Sequence, residues 1–487
     1  MIPRTRKSLP LALWFLIGFS SFPGALSGVE NRPVRILIKP KAGITSAALK
    51  RFHETQSAAV LKAFDNIGGL QIIELSANQP PEEAVAEYQA SGLVEFAEMD
   101  QVGQVATAPN DPRYLDGSLW GLNNTGQSGG KPDADIDAPE GWDLQNSASN
   151  IIVAVLDTGV RYTHEDLAAN MWTSQNDGSH GWNTIEQNND PSDAQVHGTM
   201  VAGVLGAVGN NGKGVTGVAW RVQMIACKCF NTNGSGLESD VLICIDYART
   251  NGAKIINASF GFANSAALSN AVMALRDAGI IVVAACGNGA NDVDVLPTFP
   301  ACYHFDNVLS IAYTTRTDTL ATASNYGATN VHLAAPGEDI LTTFPATDSF
   351  YYPNSGTSFA APYVAGALAL VLARFPSEPY QLAVQRILGG VDPLPSLAGK
   401  CVTGGRLNLR KALSPIIRLT NTVASSSAFQ FRVVAGPNQI CVVEATTDLI
   451  NWSPVSTNAT SIDGFFDFVD SAFTNSPNRF YRAVSAP

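Results

Sequence analysis

The chain has 487 residues, 45% of them apolar and only 15% charged, with 42 glycines. That excludes wholesale disorder and allows two to four folding units. The low charge, against about 25% in an average soluble protein, suits a compact, loop-rich secreted protein better than a cytosolic one. With 42 acidic against 30 basic residues and a formal charge of −12, the balance is the reverse of what an electrostatic nucleic-acid binder needs, and no nucleic-acid partner is expected.

In chain order, Arg4, Arg6 and Lys7 precede an apolar run from Leu9 to Phe19, and Ala25-Leu26-Ser27 supplies small residues at the −3 and −1 positions of a cleavage site. Residues 1–27 therefore read as a secretory signal peptide cut after Ser27, which implies an extracellular or periplasmic protein. The run is well short of the roughly 20 residues needed to cross a bilayer, and no membrane span is expected elsewhere. Strand-like Val34–Pro40, a helical pattern over Thr45–His53, strand-like Gly69–Leu75, an acidic-capped helix at Pro81–Ala90 and an extended Leu93–Val105 predict a small α+β unit over residues 28–107. Turn residues cluster around Asn110-Asp111-Pro112 and from Gly126 to Pro132.

From Asn150 the pattern changes. The apolar runs IIVAVLD, VQMIACKCF, AKIINASF, GIIVVAACGN and VLSIAYT alternate with helical segments, which predicts an α/β domain over residues 108–415 with a parallel sheet buried on both faces. Polar residues at strand ends, Asp157, Ser259 and Asn288, fall where such sheets place their sites. Beyond Pro415, alternating Phe429–Val433, Cys441–Ala445, Phe465–Phe468 and Arg479–Val484 predict a small all-β module over residues 416–487. The seven cysteines show no CxxC and no zinc-ligand spacing. Cys227 and Cys229 are expected to point to opposite faces of one strand and so not to pair with each other.

Three short sequences carry chemistry. VLDTGV puts Asp157 at the end of a buried strand, VHGTMVAG opens an apolar helix with His197, and NSGTSFAAP places Ser358 at a helix start. Alone each is weak: a D-T-G also occurs in aspartic proteases, but those need a second such carboxylate, and none is found. Together they supply a nucleophile (Ser358), its base (His197) and a carboxylate to hold the imidazole tautomer (Asp157). Gly287-Asn288-Gly289 can project an amide donor toward an oxyanion, and the Ser358 N–H at its helix N-terminus can supply another.

These four blocks, in the order Asp…His…Asn…Ser over residues 108–412, resemble the subtilisin family (subtilases) of serine endopeptidases. The resemblance implies a parallel-sheet, three-layer subtilisin-like domain. It makes Asp157, His197 and Ser358 the triad and Asn288 the oxyanion donor, acting on polypeptide substrates through a covalent acyl-enzyme. Met200, Phe359 and Tyr363 depart from residues usual in the family, and none of these changes removes a catalytic atom. By the same resemblance, Ser259-Phe260-Gly261 (with Ala258 before it) and Gly234-Ser235-Gly236 are the edges that sandwich an extended peptide. Cys286, two residues before Asn288, reads as a small buried apolar residue near the first specificity pocket. Calcium is the implied metal, with Asp111, Asp166 and Asn211 as side-chain ligands and carbonyls from the 208–215 loop. Hard oxygen ligands from separate loops suit Ca²⁺, while the plainer reading of the same residues is a solvated turn and a helix cap. Residues 28–107 resemble an inhibitory propeptide, which makes the chain a zymogen held by its own intramolecular inhibitor. The last module resembles β-sandwich modules appended to secreted enzymes, with no ligand implied. The rival to the enzyme is a catalytically silent binding or scaffold protein on the same fold.

Overall fold

The computed structural model describes residues 34–485 apart from 42, 65, 67, 77–78, 101–107, 426–427, 436–439, 450, 462–463, 472 and 474–477. Residues 1–27, expected to be a signal peptide, lie outside the described residues. The chain divides into two compact units, whose described parts are 34–100 and 108–485.

The first unit runs β1 (Arg35–Pro40), α1 (Ser46–Thr55), β2 (Ala59–Phe64), β3 (Leu70–Glu74), α2 (Pro81–Ala90) and β4 (Val94–Met99). Its sheet is antiparallel in the order β2-β3-β1-β4. Alternation in β1 buries Ile36 and Ile38, which pack with Ile73, Leu49 and Tyr88 from β3, α1 and α2. β2 is absent from the sequence reading because it is an edge strand with little buried surface, so AVLKAF carries no in–out pattern.

The second unit begins with two short helices, α3 (Pro112–Leu115) and α4 (Ala138–Trp142), then β5 (Ser147–Asp157), β6 (Gly181–Asn183), α5 (His197–Gly206), β7 (Arg221–Lys228), α6 (Glu238–Thr250), β8 (Ile255–Ala258), α7 (Ala266–Asp277), β9 (Ile281–Ala285) and β10 (Val308–Thr314). There follow β11 (Leu333–Pro336), β12 (Ile340–Phe344), β13 (Phe350–Asn354), α8 (Thr357–Arg374), α9 (Tyr380–Gly389), β14 (Asp392–Pro393), β15 (Gly405–Arg406) and α10 (Leu409–Leu413). Nine strands form one sheet in the order β14-β15-β11-β10-β9-β8-β5-β7-β6. It is parallel except at the β14–β15 edge. Every residue of β8, β9 and β10 is buried, as continuous apolar runs require of a sheet covered on both faces. One face packs on α5, α8, α9 and α10. The other packs on α6 and α7, through Val241, Ile245, Leu268 and Val272.

Helix α8 is long and apolar enough to cross a membrane, but 83% of it is buried inside the protein, so its apolarity belongs to the core. Cys227 and Cys229 do not point apart as expected: both lie in the α6–α7 layer with Cys244. Residues i and i+2 of a strand share a face. The chain closes in β16 (Arg418–Ala424), β17 (Phe429–Val434), β18 (Ile440–Thr446), β19 (Ser453–Ala459), β20 (Phe465–Asp470) and β21 (Phe480–Ser485). Two three-stranded antiparallel sheets, β16-β17-β20 and β19-β18-β21, share a core of Phe431, Val433, Cys441, Val443 and Phe468.

Candidate active site

Three adjacent strands, β9, β8 and β5, end at one edge of the sheet, and each delivers a polar residue there. β5 ends on Asp157, β8 leads into Ser259, and β9 leads through Gly287 to Asn288. α5 starts on His197, and α8 carries Ser358 as its second residue. The approach is close: a Cβ on Gly198 would meet the Gly159 carbonyl and lie 2.9 Å from the Asp157 side chain. Gly287, at φ +104°, turns the chain out of β9, and a Cβ there would lie 2.5 Å from Asn325 Nδ2.

His197 Nδ1 lies 2.8 Å from Asp157 Oδ1 and 2.9 Å from Oδ2. A carboxylate only accepts, so Nδ1 carries the proton and Nε2 keeps its lone pair. The Asp157 side chain is 4% exposed and that of His197 27%, so the imidazole stays partly open while its partner is buried. Burial alone would lower the His197 pKa. The charge and hydrogen bond of Asp157, with the charge of Asp193 behind them, outweigh it and hold the imidazole above its ordinary value of 6.5. Asp193 is fixed by Gln195 N at 2.9 Å, Thr199 N at 3.0 Å and the hydroxyls of Thr158 and Thr199. The sequence reading missed it; its only signal is an acidic residue four positions before a helix start.

Ser358 Oγ donates to the Ser259 carbonyl at 3.4 Å, a long bond for a hydroxyl, and no hydrogen bond joins it to His197 among the described residues. Asn288 Oδ1 accepts from Thr357 N at 2.8 Å and Thr357 Oγ1 at 3.0 Å. Both acceptor bonds fall on the oxygen, so the amide is oriented with Nδ2 as its remaining donor. The Ser358 N–H, in the first turn of α8, has no acceptor within the helix. Thr357 is the second residue the sequence reading did not single out.

Of the expected substrate edges, Ser259-Phe260-Gly261 leaves β8 without a ladder partner. Gly234-Ser235-Gly236 lies in a turn closed by Asn231 N to Ser235 O at 2.8 Å and Gly234 N to Asn231 O at 2.9 Å. The rings of Phe230 and Phe260 pack at 5.1 Å, and Phe262 joins both. Phe359 sets its ring 5.8 Å from that of His197. Cys286 is fully buried, and burial holds its thiol well above the usual range.

The residues expected to hold calcium also come together. Asp111 and Asp166 are both fully buried. Asp166 accepts from Asn211 Nδ2 at 2.8 Å, Val215 N at 2.9 Å and Tyr351 OH at 2.8 Å. Asp111 Oδ2 accepts from Asn210 N at 2.6 Å, but Asp111 Oδ1 has no partner. Burial, with the Asp166 charge beside it, pushes the Asp111 carboxyl up to about 6 against the bonds from Asn210 and Asn211. Asn211 faces Asp166 through its nitrogen, its Oδ1 accepting from Lys213 N at 2.8 Å. Among the described residues no group of three or more acidic, histidine or cysteine side chains is arranged around a metal position, so backbone or amide oxygens would have to complete any shell.

A family model described as the subtilase family matches residues 148–388. The chain is 37% identical over 284 residues to a thermophilic serine proteinase of Bacillus sp. (strain AK1), covering 58% of this chain and 64% of that protein. It is 34% identical over 267 residues to thermitase of Thermoactinomyces vulgaris, covering 55% of this chain and 86% of that one. It is 30% identical over 357 residues to the cell wall-associated protease of Bacillus subtilis (strain 168), covering 71% of this chain and 38% of that one. Among solved structures, a protease from Pseudoalteromonas arctica PAMC 21717 aligns with a TM-score of 0.53 at 28% identity, covering 63% of this chain and 99% of that one. The sheet order, the strand ends and these likenesses place the chain in the subtilase family of serine endopeptidases.

Proposed function

We propose that this chain is a secreted peptidase that hydrolyses peptide bonds through Ser358, His197 and Asp157, with Asn288 as oxyanion donor. The observation that carries the reading is the buried-acid, open-base pair of Asp157 and His197 at 2.8 Å, on a helix that packs against the one bearing Ser358. In the proposed cycle, Ser358 Oγ rotates from the Ser259 carbonyl to His197 Nε2, which takes its proton as the oxygen attacks the scissile carbonyl. Asp157 fixes the tautomer and stabilises the imidazolium. Asn288 Nδ2 and the Ser358 N–H receive the oxyanion. The proton then passes to the leaving amine, and water attacks the acyl-enzyme by the reverse sequence. Ser259–Gly261 and Gly234–Gly236 flank the extended peptide, Ser259–Gly261 offering a backbone edge with no strand paired on it.

The donor set fits a hard cation. An orphaned, fully buried Asp111 Oδ1 beside Asp166 is a negative site lacking a counter-charge. Asp111, Asp166 and carbonyls of the 208–215 loop would hold Ca²⁺, with Asn211 joining them only by turning its amide so that Oδ1, not Nδ2, faces Asp166, and the ion would tie that loop to the 110–113 segment. The reading extends to a signal peptide over 1–27, an inhibitory propeptide over 28–107, a peptidase domain over 108–415 and an accessory module over 416–487.

Ser358→Ala is expected to abolish hydrolysis of a peptide substrate and to block release of the N-terminal unit. A serine-directed phosphonate should label the matured wild type at Ser358. Wild-type protein freed of its N-terminal unit that takes up no phosphonate would favour the silent scaffold.

A further inference from the structure

Helix α8 contains Pro362 four residues after Ser358. In an α-helix the Ser358 carbonyl would accept from the N–H of residue 362, and proline has none. The carbonyl of the nucleophile's own residue is therefore left without its helical partner. The fold fills the gap from outside: Ser259 Oγ donates to Ser358 O at 3.0 Å, and Asn257 Nδ2 donates to Ser259 Oγ at 2.9 Å. The direction of these bonds is fixed by chemistry. A carbonyl only accepts, so the single hydroxyl proton of Ser259 goes to Ser358 O, and the hydroxyl lone pair then needs a donor, which the Asn257 amide supplies.

Asn257 is the natural anchor for such a relay. It is fully buried in β8, opposite Val155 of β5 and Val283 of β9, the strands that lead to Asp157 and Asn288. Its Oδ1 is buried with no hydrogen-bond partner. A leucine would fill the space without leaving an unsatisfied oxygen, so burial alone does not explain the amide; the donor bond to Ser259 does. Ser259 also holds the other end of the nucleophile, since its carbonyl accepts from Ser358 Oγ.

We propose that Asn257 and the Ser259 hydroxyl are positioning residues, which fix the Ser358–Phe359 peptide plane through the Ser358 carbonyl and thereby hold the backbone from which Oγ projects. This rests on the peptidase reading. It gives the Ser259 side chain a task separate from the substrate edge, which is backbone.

The test is a double-mutant cycle on the matured full chain, with a short peptide anilide as substrate and a serine-directed phosphonate as probe. Ser259→Ala and Asn257→Leu are expected to lower kcat about tenfold to a hundredfold, as small misplacements of a reacting group do. KM should stay within about twofold, and phosphonate labelling should slow in step. Pro362→Ala restores an N–H to the helix, so in that background the Ser259→Ala loss should shrink to less than about threefold, because the Ser358 carbonyl again has a partner. An equal Ser259→Ala loss in both backgrounds, or a loss confined to KM, overturns the proposal. Should the Pro362 variants not fold, Ser259→Ala at an unchanged melting temperature decides, with lost kcat supporting the relay and unchanged kcat overturning it. Wild type that is not labelled overturns the peptidase reading and the relay together. Normal wild-type labelling with unaffected Ser259→Ala removes the relay alone.

Discussion

As the proposed base, His197 would work only while Nε2 is unprotonated, so its raised pKa would set where activity begins. Asp157 and Asp193 hold the imidazole above 6.5 despite burial, and the acid limb of kcat/KM, which reports the free enzyme, should therefore lie above that value. Of the two carboxylates, Asp193 touches neither the ring nor any proposed substrate atom, so its charge can be removed with the pair left in place. Asp193→Asn withdraws a negative charge that favours the imidazolium, and the limb should move to lower pH. A pH–rate profile checks this; an unmoved limb with only a lower plateau would make Asp193 a helix-start brace and nothing more. At this scale the residues proposed for catalysis were legible because acyl transfer demands particular residue types, and Asp157, His197, Asn288 and Ser358 offer them in a specific order. Asp193 and Thr357 were not, because they act through hydrogen bonds to residues distant in the chain or to backbone groups, and Asn257 was not, because its bond to Ser259 gains meaning only through the Ser358 carbonyl 99 residues on. No local spacing encodes such bonds.

Among the elements, the edge of the sheet depends on one buried cation. The Arg406 side chain on β15 is 2% exposed and pairs with Asp318 and, at 2.8 Å, with Asp392 on β14. Arg406→Met would take the buried cation from both carboxylates, leaving Asp318 to Lys131 and Asp392 to Lys411, with an expected loss of about 1.5–3 kcal/mol, read by urea unfolding; a loss below about 1 kcal/mol would mean the lysines and water already screen the pair. The 208–215 loop gives a second test. Calcium held only by the native state adds RT ln(1 + [L]/Kd), about 2.7 kcal/mol at a hundredfold excess over Kd. A chelator should therefore lower the melting temperature, and Asp166→Asn should do so without one. Because carboxylate ligands must be ionised, the gain should fade in acid. A melting curve unmoved by chelator, in protein shown by elemental analysis to have lost its calcium, would leave Asp111 and Asp166 as loop braces. The long apolar strands β5, β7, β8, β9 and β10 were legible from their runs. β6, β14 and β15 were not, because two or three residues carry no period. The β12–β13 hairpin pairs outside the main sheet, and its second strand is largely exposed, so tertiary context alone defines it.

At the scale of the whole molecule, the question is which parts the chemistry needs. The six strands from β16 to β21 pair only with one another, and none joins the nine-stranded sheet. Among the described residues their own core is small, an apolar cluster led by Phe431 and Phe468, and about 70 residues is near the lower limit for independent stability. No residue proposed for catalysis, substrate binding or calcium lies beyond residue 415. A chain ending there is therefore expected to fold, mature and cleave a short peptide at the full-length rate, while capture of a large substrate is free to change. The opposing idea is that the module completes the folding of the peptidase domain, as a cap would. The two separate cleanly if melting temperature and peptide turnover are measured on the same truncated protein. Full turnover with an unchanged melting temperature makes the module an appendage. Full turnover at a lower one makes it a stabiliser. A folded protein without turnover would move the functional boundary past residue 415 and require a contribution to the site from the β strands that follow.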